Sequence, residues 1–259
     1  MRRLPLRIVR IVGLPVALLA LYWLVSLNSQ SYYFSSPADI TRAFVKTWIG
    51  PRILSDLLPS VGRLAVGYLL AALLGIGLGL GLGLSRRLRA LAEPLLEFFR
   101  AVPPPVLVPL LILLAGVSDM MKVLVVVSGC AWPVLLNTVE GVRAVEPQLI
   151  DTCRSFGIRG VARLRHLILP AASPQIITGL RQALPVGIIL MVISEMFASS
   201  SGLGFTIVQF QRTFAIPEMW SGIVLLGLLG VVLSALFRVW ERRVLSWYYG
   251  ARALERGGG

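Results

Sequence analysis

The chain has 259 residues, 56% of them hydrophobic and 14% charged, with a mean hydropathy of +0.82 and a formal net charge of +13. Soluble globular domains carry about 25% charged residues, so the composition excludes an ordinary soluble domain. A nucleic-acid binder would gather its cations on one solvated face; here they fall in alternate loops between apolar runs, the positive-inside pattern of a multi-pass membrane protein, and nucleic acid is excluded as a partner.

Arg2, Arg3, Arg7 and Arg10 precede a first apolar run over 11–38. A basic stretch before such a run also opens a cleaved signal peptide. This run is long and has no small-x-small closing site. Tyr22, Trp23, Tyr32 and Tyr33 suit interfacial anchors, so a retained span is expected. An outer segment, 28–62, follows. In it Ser36-Pro37-Ala38-Asp39 marks a helix start, with Ser36 and Asp39 as caps, and Ile40 to Ile49 has apolar residues at helical spacing. Pro51 and Pro59 are expected to break it.

The second span, 64–85, holds Gly75, Gly77, Gly79, Gly81 and Gly83. Glycines four apart let another helix approach closely, either as ordinary close packing or as a hinge. Neither GxGxxG nor GxxxxGK[ST] occurs, so no nucleotide site is expected on this chain. Arg86, Arg87, Arg89 and Arg100 follow.

The third span, 101–118, begins with Pro103-Pro104-Pro105 and has Pro109 a turn later. Irregular backbone at membrane depth survives only against protein or a water-filled cavity. The segment is therefore either a pathway-lining element or a plain helix starting after Pro105. In the fourth span, 123–139, Pro133 should kink the helix and Asn137 should cap or bridge helices.

The stretch 140–170 is too polar for the membrane and fits one or two short helices, Pro147 opening the first and Gly157 allowing a left-handed turn. The fifth span, 167–194, contains Pro174, Pro185 and Arg181. Arg181 either snorkels to the surface, the plainer reading, or faces inward and attracts a small anion. Glu195 is placed at the outer end, in an ion pair. Leu203 to Gln211 reads as a loop and 219–237 as the sixth span, followed by Arg238, Arg242, Arg243, Arg252 and Arg256. Both termini are thus expected on the cytoplasmic side. The opposite loops hold only Arg42, Lys46, Arg52, Arg63, Lys122 and Arg212.

Cys130 and Cys153 suit no disulfide, and a lone His166 supports neither a metal site nor catalysis, so no catalytic residue is assigned. A secondary transporter, the alternative function, would need intramembrane acids or broken helices for coupling ions; the spans carry no acid well inside.

Asp151-Thr152-Cys153, Gly157 and Leu167-Ile168-Leu169-Pro170 resemble the cytoplasmic EAA loop of ABC importer permeases, whose pattern is Glu-Ala-Ala, three residues, Gly, nine residues and Ile-x-Leu-Pro. Arg100-Ala101-Val102-Pro103-Pro104, Ile177-Thr178-Gly179-Leu180-Arg181, Ser194-Glu195-Met196 and Ser200-Ser201-Gly202-Leu203-Gly204-Phe205 narrow the resemblance to the nitrate/taurine/alkanesulfonate group. It implies an all-α integral membrane protein with six transmembrane helices in the type I importer permease (MetI-like) architecture. Residues 1–62 would be tail, first helix and outer segment, 63–249 the permease core with its coupling loop at 140–170, and 250–259 a cytoplasmic tail. The chain would be a channel and no enzyme. It would pair with a second copy, with two ATPases holding ATP and Mg, with an extracytoplasmic binding protein and with lipid in the bacterial inner membrane. The resemblance assigns ATPase coupling to Asp151, Thr152, Cys153, Ser155, Phe156, Gly157, Leu169 and Pro170. Pro103, Pro104, Pro109, Arg181, Met191 and Glu195 are the expected pathway residues, and Ser199 to Gly204 a flexible outer loop meeting the binding protein.

Overall fold

The computed structural model describes residues 3–28, 33–197, 199–248 and 250, with backbone alone at 3–12, 15, 27 and 28. Among the described residues the regular elements are all helical. In chain order they are α1 (Arg3–Asn28), α2 (Pro37–Trp48), α3 (Leu58–Leu84), α4 (Arg86–Ala101), α5 (Leu107–Ala115), α6 (Asp119–Arg143), α7 (Pro147–Ser155), α8 (Gly160–Arg163), α9 (Leu169–Phe197), α10 (Leu203–Arg212) and α11 (Ile216–Val244). Four continuous segments are long and apolar enough to cross a membrane: Ile53–Leu84, Asp119–Arg143, Gly160–Phe197 and Ile216–Val244. The pair Arg86–Ala101 and Pro104–Ala115, bent by 76°, makes a fifth if counted as one span, and α1 contributes a shorter apolar stretch, Val16–Ser26. The six expected spans thus match α1, α3, the bent pair, α6, α9 and α11. Tyr32, Arg252 and Arg256 lie outside the described residues.

The core is α6 held between α3 and α9. On α3, Gly67, Ala71, Gly75, Gly79 and Gly83 recur every four residues and form one stripe. A Cβ on Gly75 would sit 2.8 Å from Cβ of Val134, and one on Gly79 would sit 2.6 Å from Cβ of Thr138. Gly77 and Gly81, on the other side, have nothing within 4 Å. The glycine run is therefore a close-packed seam on one face only. Lipid tails are as apolar as leucine, so helices associate through such close backbone approach rather than through water exclusion. On its other flank α6 receives α9: Gly179 lies against the Pro133 carbonyl and Asn137, and Gly187 against Cys130 and Leu64. Asn137 bridges the two helices, accepting from Gln175 Nε2 at 3.0 Å and donating to Gln182 Oε1 at 3.1 Å.

The seams fix direction. Gly67 meets Val126 and Gly83 meets Val142, so α3 and α6 run parallel; Gly141 meets Ala172 and Gly129 meets Leu190, so α9 runs against them. Leu84, Arg143 and Leu169 consequently share one end of the bundle, the arginine-rich end, with Leu58, Asp119 and Phe197 at the other.

Three sequence expectations need correction. Leu203–Arg212 is a helix, not a loop: Leu203, Thr206, Ile207 and Phe210 recur at helical spacing and face the protein, while Gln209, Gln211 and Arg212 face outward. Residues 101–118 are not one helix. Arg86–Ala101 is itself helical, the backbone turns at Val102 and Pro103, and a single 3₁₀ turn over Pro104–Val106 leads into α5. The prolines lack N–H donors, so the corner falls where helical bonds could not form anyway. Pro59 does not break its helix; the wide π turn Ile53–Leu57 directly before it gives the ring room. The expected start of α2 is present, with Ser36 Oγ accepting from Asp39 N at 3.2 Å and donating to Asp39 Oδ2 at 2.6 Å.

Candidate functional site

At the arginine-rich end α7 and α8 form an arm with no buried residue. Pro147 occupies the first turn of α7, where its missing N–H is not required. The helix ends in a Schellman cap: Ile158 N donates to Cys153 O at 2.8 Å and Gly157 N to Arg154 O at 3.0 Å. That geometry needs a left-handed residue at Gly157, whose φ is +69°. Asp151 pairs with its own neighbour Arg154 at 2.9 Å, and Thr152 Oγ1 donates to Gln148 O. Cys153 is half-buried and Ser155 exposed. Phe156 and Val161, each 78% exposed, project with Leu149 and Ile158 as unpartnered apolar knobs. Leu169 is half-buried and Pro170 exposed at the start of α9, and α8, a π turn over Leu164–Ile168 and α9 run on as one segment, Gly160–Phe197.

The expected pathway residues do not form one group. Pro103 is exposed, Pro104 packs near Gly129, and Pro109 is exposed in the first turn of α5. Arg181 neither snorkels free nor points into an empty interior; it is half-exposed and pairs with Glu241 of α11 at 3.3 Å. Met191, 1% exposed, and Glu195, 0% exposed, are sealed in the core of the chain and present no surface to a solute. In this structure Glu195 bonds Ser60 and Arg63 of α3 and Gly204 at the start of α10.

Glu195 belongs to a polar cluster at the end remote from the arm. Arg63 Nη1 donates to Glu195 Oε1 at 2.8 Å, and Ser60 Oγ lies 2.7 Å from the same oxygen. Arg63 Nε also donates to Asp119 Oδ1 at 2.9 Å, which Lys122 reaches at 3.2 Å. Three successive backbone N–H groups complete the set. Gly202 N donates to Asp56 Oδ1, Leu203 N to Ser60 Oγ and Gly204 N to Glu195 Oε2, all between 2.9 and 3.1 Å. These are the orphan donors at the start of α10, and two carboxylates there also suit the positive end of the helix dipole. A buried ion pair survives desolvation only when further hydrogen bonds satisfy it, and this one has them. The Ser199 to Gly204 stretch is therefore tied to α3 and α9 rather than loose. The sequence signal was Asp56, Ser60 and Arg63, which at i, i+4 and i+7 fall on one helix face.

Among the described residues no cluster of three or more His, Cys, Asp and Glu is placed to hold a metal ion. The lone His166 bonds the Ala162 carbonyl at 2.9 Å on the exposed arm.

Comparison with known proteins converges on one family. The profile described as "Binding-protein-dependent transport system inner membrane component" matches residues 71–246. The taurine transport system permease protein TauC of Escherichia coli is 30% identical, the match covering 92% of this chain and 89% of TauC. A Bacillus subtilis permease protein, SsuC, named for aliphatic sulfonates transport, is 30% identical over 82% of this chain and 77% of its own length. The bicarbonate transport system permease protein CmpB of Synechococcus elongatus is 30% identical over 71% of this chain and 66% of CmpB. Among solved structures, the inward-facing MetNI methionine ABC transporter superposes with a TM-score of 0.57 at 18% identity, over 73% of this chain and 94% of that one. An amino acid ABC transporter crystallised with histidines gives 0.54 at 17% identity, over 80% and 96%. At these identities the two structures support the fold.

Proposed function

We propose, since this chain belongs to the binding-protein-dependent transport system inner membrane component family, that it is the conduit through which a small anion is imported. Family membership makes it the non-enzymatic, multi-pass membrane subunit of an ABC importer, working with separate ATPase and binding-protein subunits. The finer assignments are our own. Relatives are named for taurine, aliphatic sulfonates and bicarbonate, solutes that share a small oxyanion group. The alternation of arginines supports both termini and the α7–α8 arm on the cytoplasmic side of a bacterial inner membrane. Identical subunits assemble most readily as a two-fold dimer, with the solute passing near the axis and the Pro103–Pro109 corner beside it. ATP and Mg reside on the two ATPases.

The observation that carries the coupling role is the arm itself. It presents Phe156 and Val161 to solvent and caps α7 on Gly157, and from Gly160 its second helix runs on into α9, which ends at the Glu195 cluster. Asp151, Thr152, Cys153, Ser155, Phe156 and Gly157 are the ATPase-facing residues of this reading, with Leu169 and Pro170 at the root. ATP-driven closure of the ATPases would move the arm as a rigid body, and packed helices switch rather than bend.

Gly157→Pro tests the role. Proline cannot adopt φ near +69° and removes the N–H that bonds Arg154 O. Transport and co-purification of the ATPase should be lost while the chain still inserts. Unchanged co-purification would remove the arm from the interface.

A further inference from the structure

Six basic residues lie at the end remote from the arm or in the segments leading to it: Arg42, Lys46, Arg52, Arg63, Lys122 and Arg212. Four are neutralised within the chain. Arg42 pairs with Asp39, Arg52 with Asp56, Arg63 with Glu195 and Asp119, and Lys122 with Asp119. Among the described residues Lys46 and Arg212 alone of the six have no carboxylate partner. Lys46 is on the exposed face of α2, away from any described cavity. Arg212 lines one.

That cavity, about 510 Å³ and open on one side, is bounded by the turn after α5, the end of α9 and the outer face of α10. Its walls are Val117, Met196, Phe197, Phe205 and Val208, and its polar groups are Ser199, Gln209 and Arg212. Small-molecule sites have this make-up: mostly apolar walls of several hundred Å³ with a few convergent polar groups. Gln209 and Arg212 are three apart on α10 and so project to the same side. A second cavity, about 430 Å³ between α1, α2 and α11, is lined by no charged residue. An unpaired guanidinium beside an amide and a hydroxyl recognises a planar or tetrahedral oxyanion, and the apolar wall takes a short carbon tail.

We infer that Arg212, with Gln209, forms an anion-receiving subsite at the mouth of the conduit, selective for small sulfonates and carboxylates. This rests on the anion-import reading above. Arg212 attracts the anion to the mouth and holds it by charge-assisted hydrogen bonds, while the four neutralised cations nearby cannot compete for it. The rigid Glu195 cluster fixes the first turn of α10, and so fixes where Arg212 stands.

Two measurements test the subsite. In the first, trifluoromethanesulfonate is titrated onto the purified full-length chain in neutral detergent and followed by ¹⁹F line broadening. Broadening should be lost in R212Q, retained in R212K and unaffected by K46Q. Equal broadening in wild type and R212Q, or its loss in K46Q, overturns the assignment. In the second, the whole importer is reconstituted in vesicles and supplied with labelled taurine, ethanesulfonate or bicarbonate. R212Q should raise the half-saturating concentration about tenfold, with R212K close to wild type. A defect that disappears at saturating binding protein, with anion broadening intact, assigns Arg212 to protein docking and overturns the subsite. A wild-type complex that imports none of the three anions fails the anion reading itself. A wild-type complex that imports one, with R212Q unimpaired, fails only the subsite.

Discussion

The Glu195 cluster and the arm treat charge in opposite ways. At the α10 end Arg63, Glu195, Asp56 and Ser60 are buried and tie three chain segments together. At the arginine-rich end Asp151 pairs with its near neighbour Arg154, Glu140 with Arg143, and both pairs are exposed. One set of charges joins distant parts of the fold; the other leaves the arm free to meet a partner. The contrast teaches that long-range ion pairs anchor α9 at its far end, while the charges of the arm are satisfied within the arm.

The largest effect should come from breaking the anchored end. Glu195→Ala leaves the buried Arg63 with one of its two carboxylate partners and should destabilise the chain by about 3–5 kcal/mol, read as loss of folded protein on size exclusion in detergent. Asp151→Ala at the free end should alter stability by no more than about 0.5 kcal/mol. Comparable losses in the two variants would erase the contrast. The α3–α6 seam lies between the ends. Gly79→Leu should destabilise by about 1–3 kcal/mol through overpacking, whereas Gly77→Leu, pointing into open space, should be neutral; thermal unfolding of the pair distinguishes seam from exposed face. Arg181→Ala removes one pair on the flank of α9 and should lower stability by about 0.6 kcal/mol, with uptake retained; a complete loss of uptake would return Arg181 to the pathway. The smallest change sharpens the comparison at the level of caps. α10 ends in the same Schellman geometry as α7, with Ala215 N on Phe210 O, yet a phenylalanine stands at the left-handed position, φ +56°. Phe214→Gly should raise stability by up to about 1 kcal/mol, whereas Gly157→Ala should lower it by a similar amount.

Much of the fold was legible because membrane spans announce themselves by length and apolarity. The arm was legible too: Pro147 and Gly157 are residues whose backbone needs are particular, and the structure uses both where they stand. The parts that were not legible share a cause. α10 is short and mixed in polarity, so the spacing of Leu203, Thr206 and Phe210 does not stand out as a long apolar run does. The Glu195 cluster joins residues 135 positions apart in sequence, Ser60 to Glu195, and nothing local in either run names the other. Pro103 to Pro105 marked a break, yet the helicity of Arg86–Ala101 before it was hidden, because its arginines suggested a loop while in fact covering one side of an amphipathic helix.

That break has an entropic consequence. Proline restricts its backbone before folding as well as after it, so the 76° elbow between α4 and α5 is largely set in the nascent chain and gives up little freedom when the bundle forms. An elbow made this way costs the folded chain little to hold at its angle.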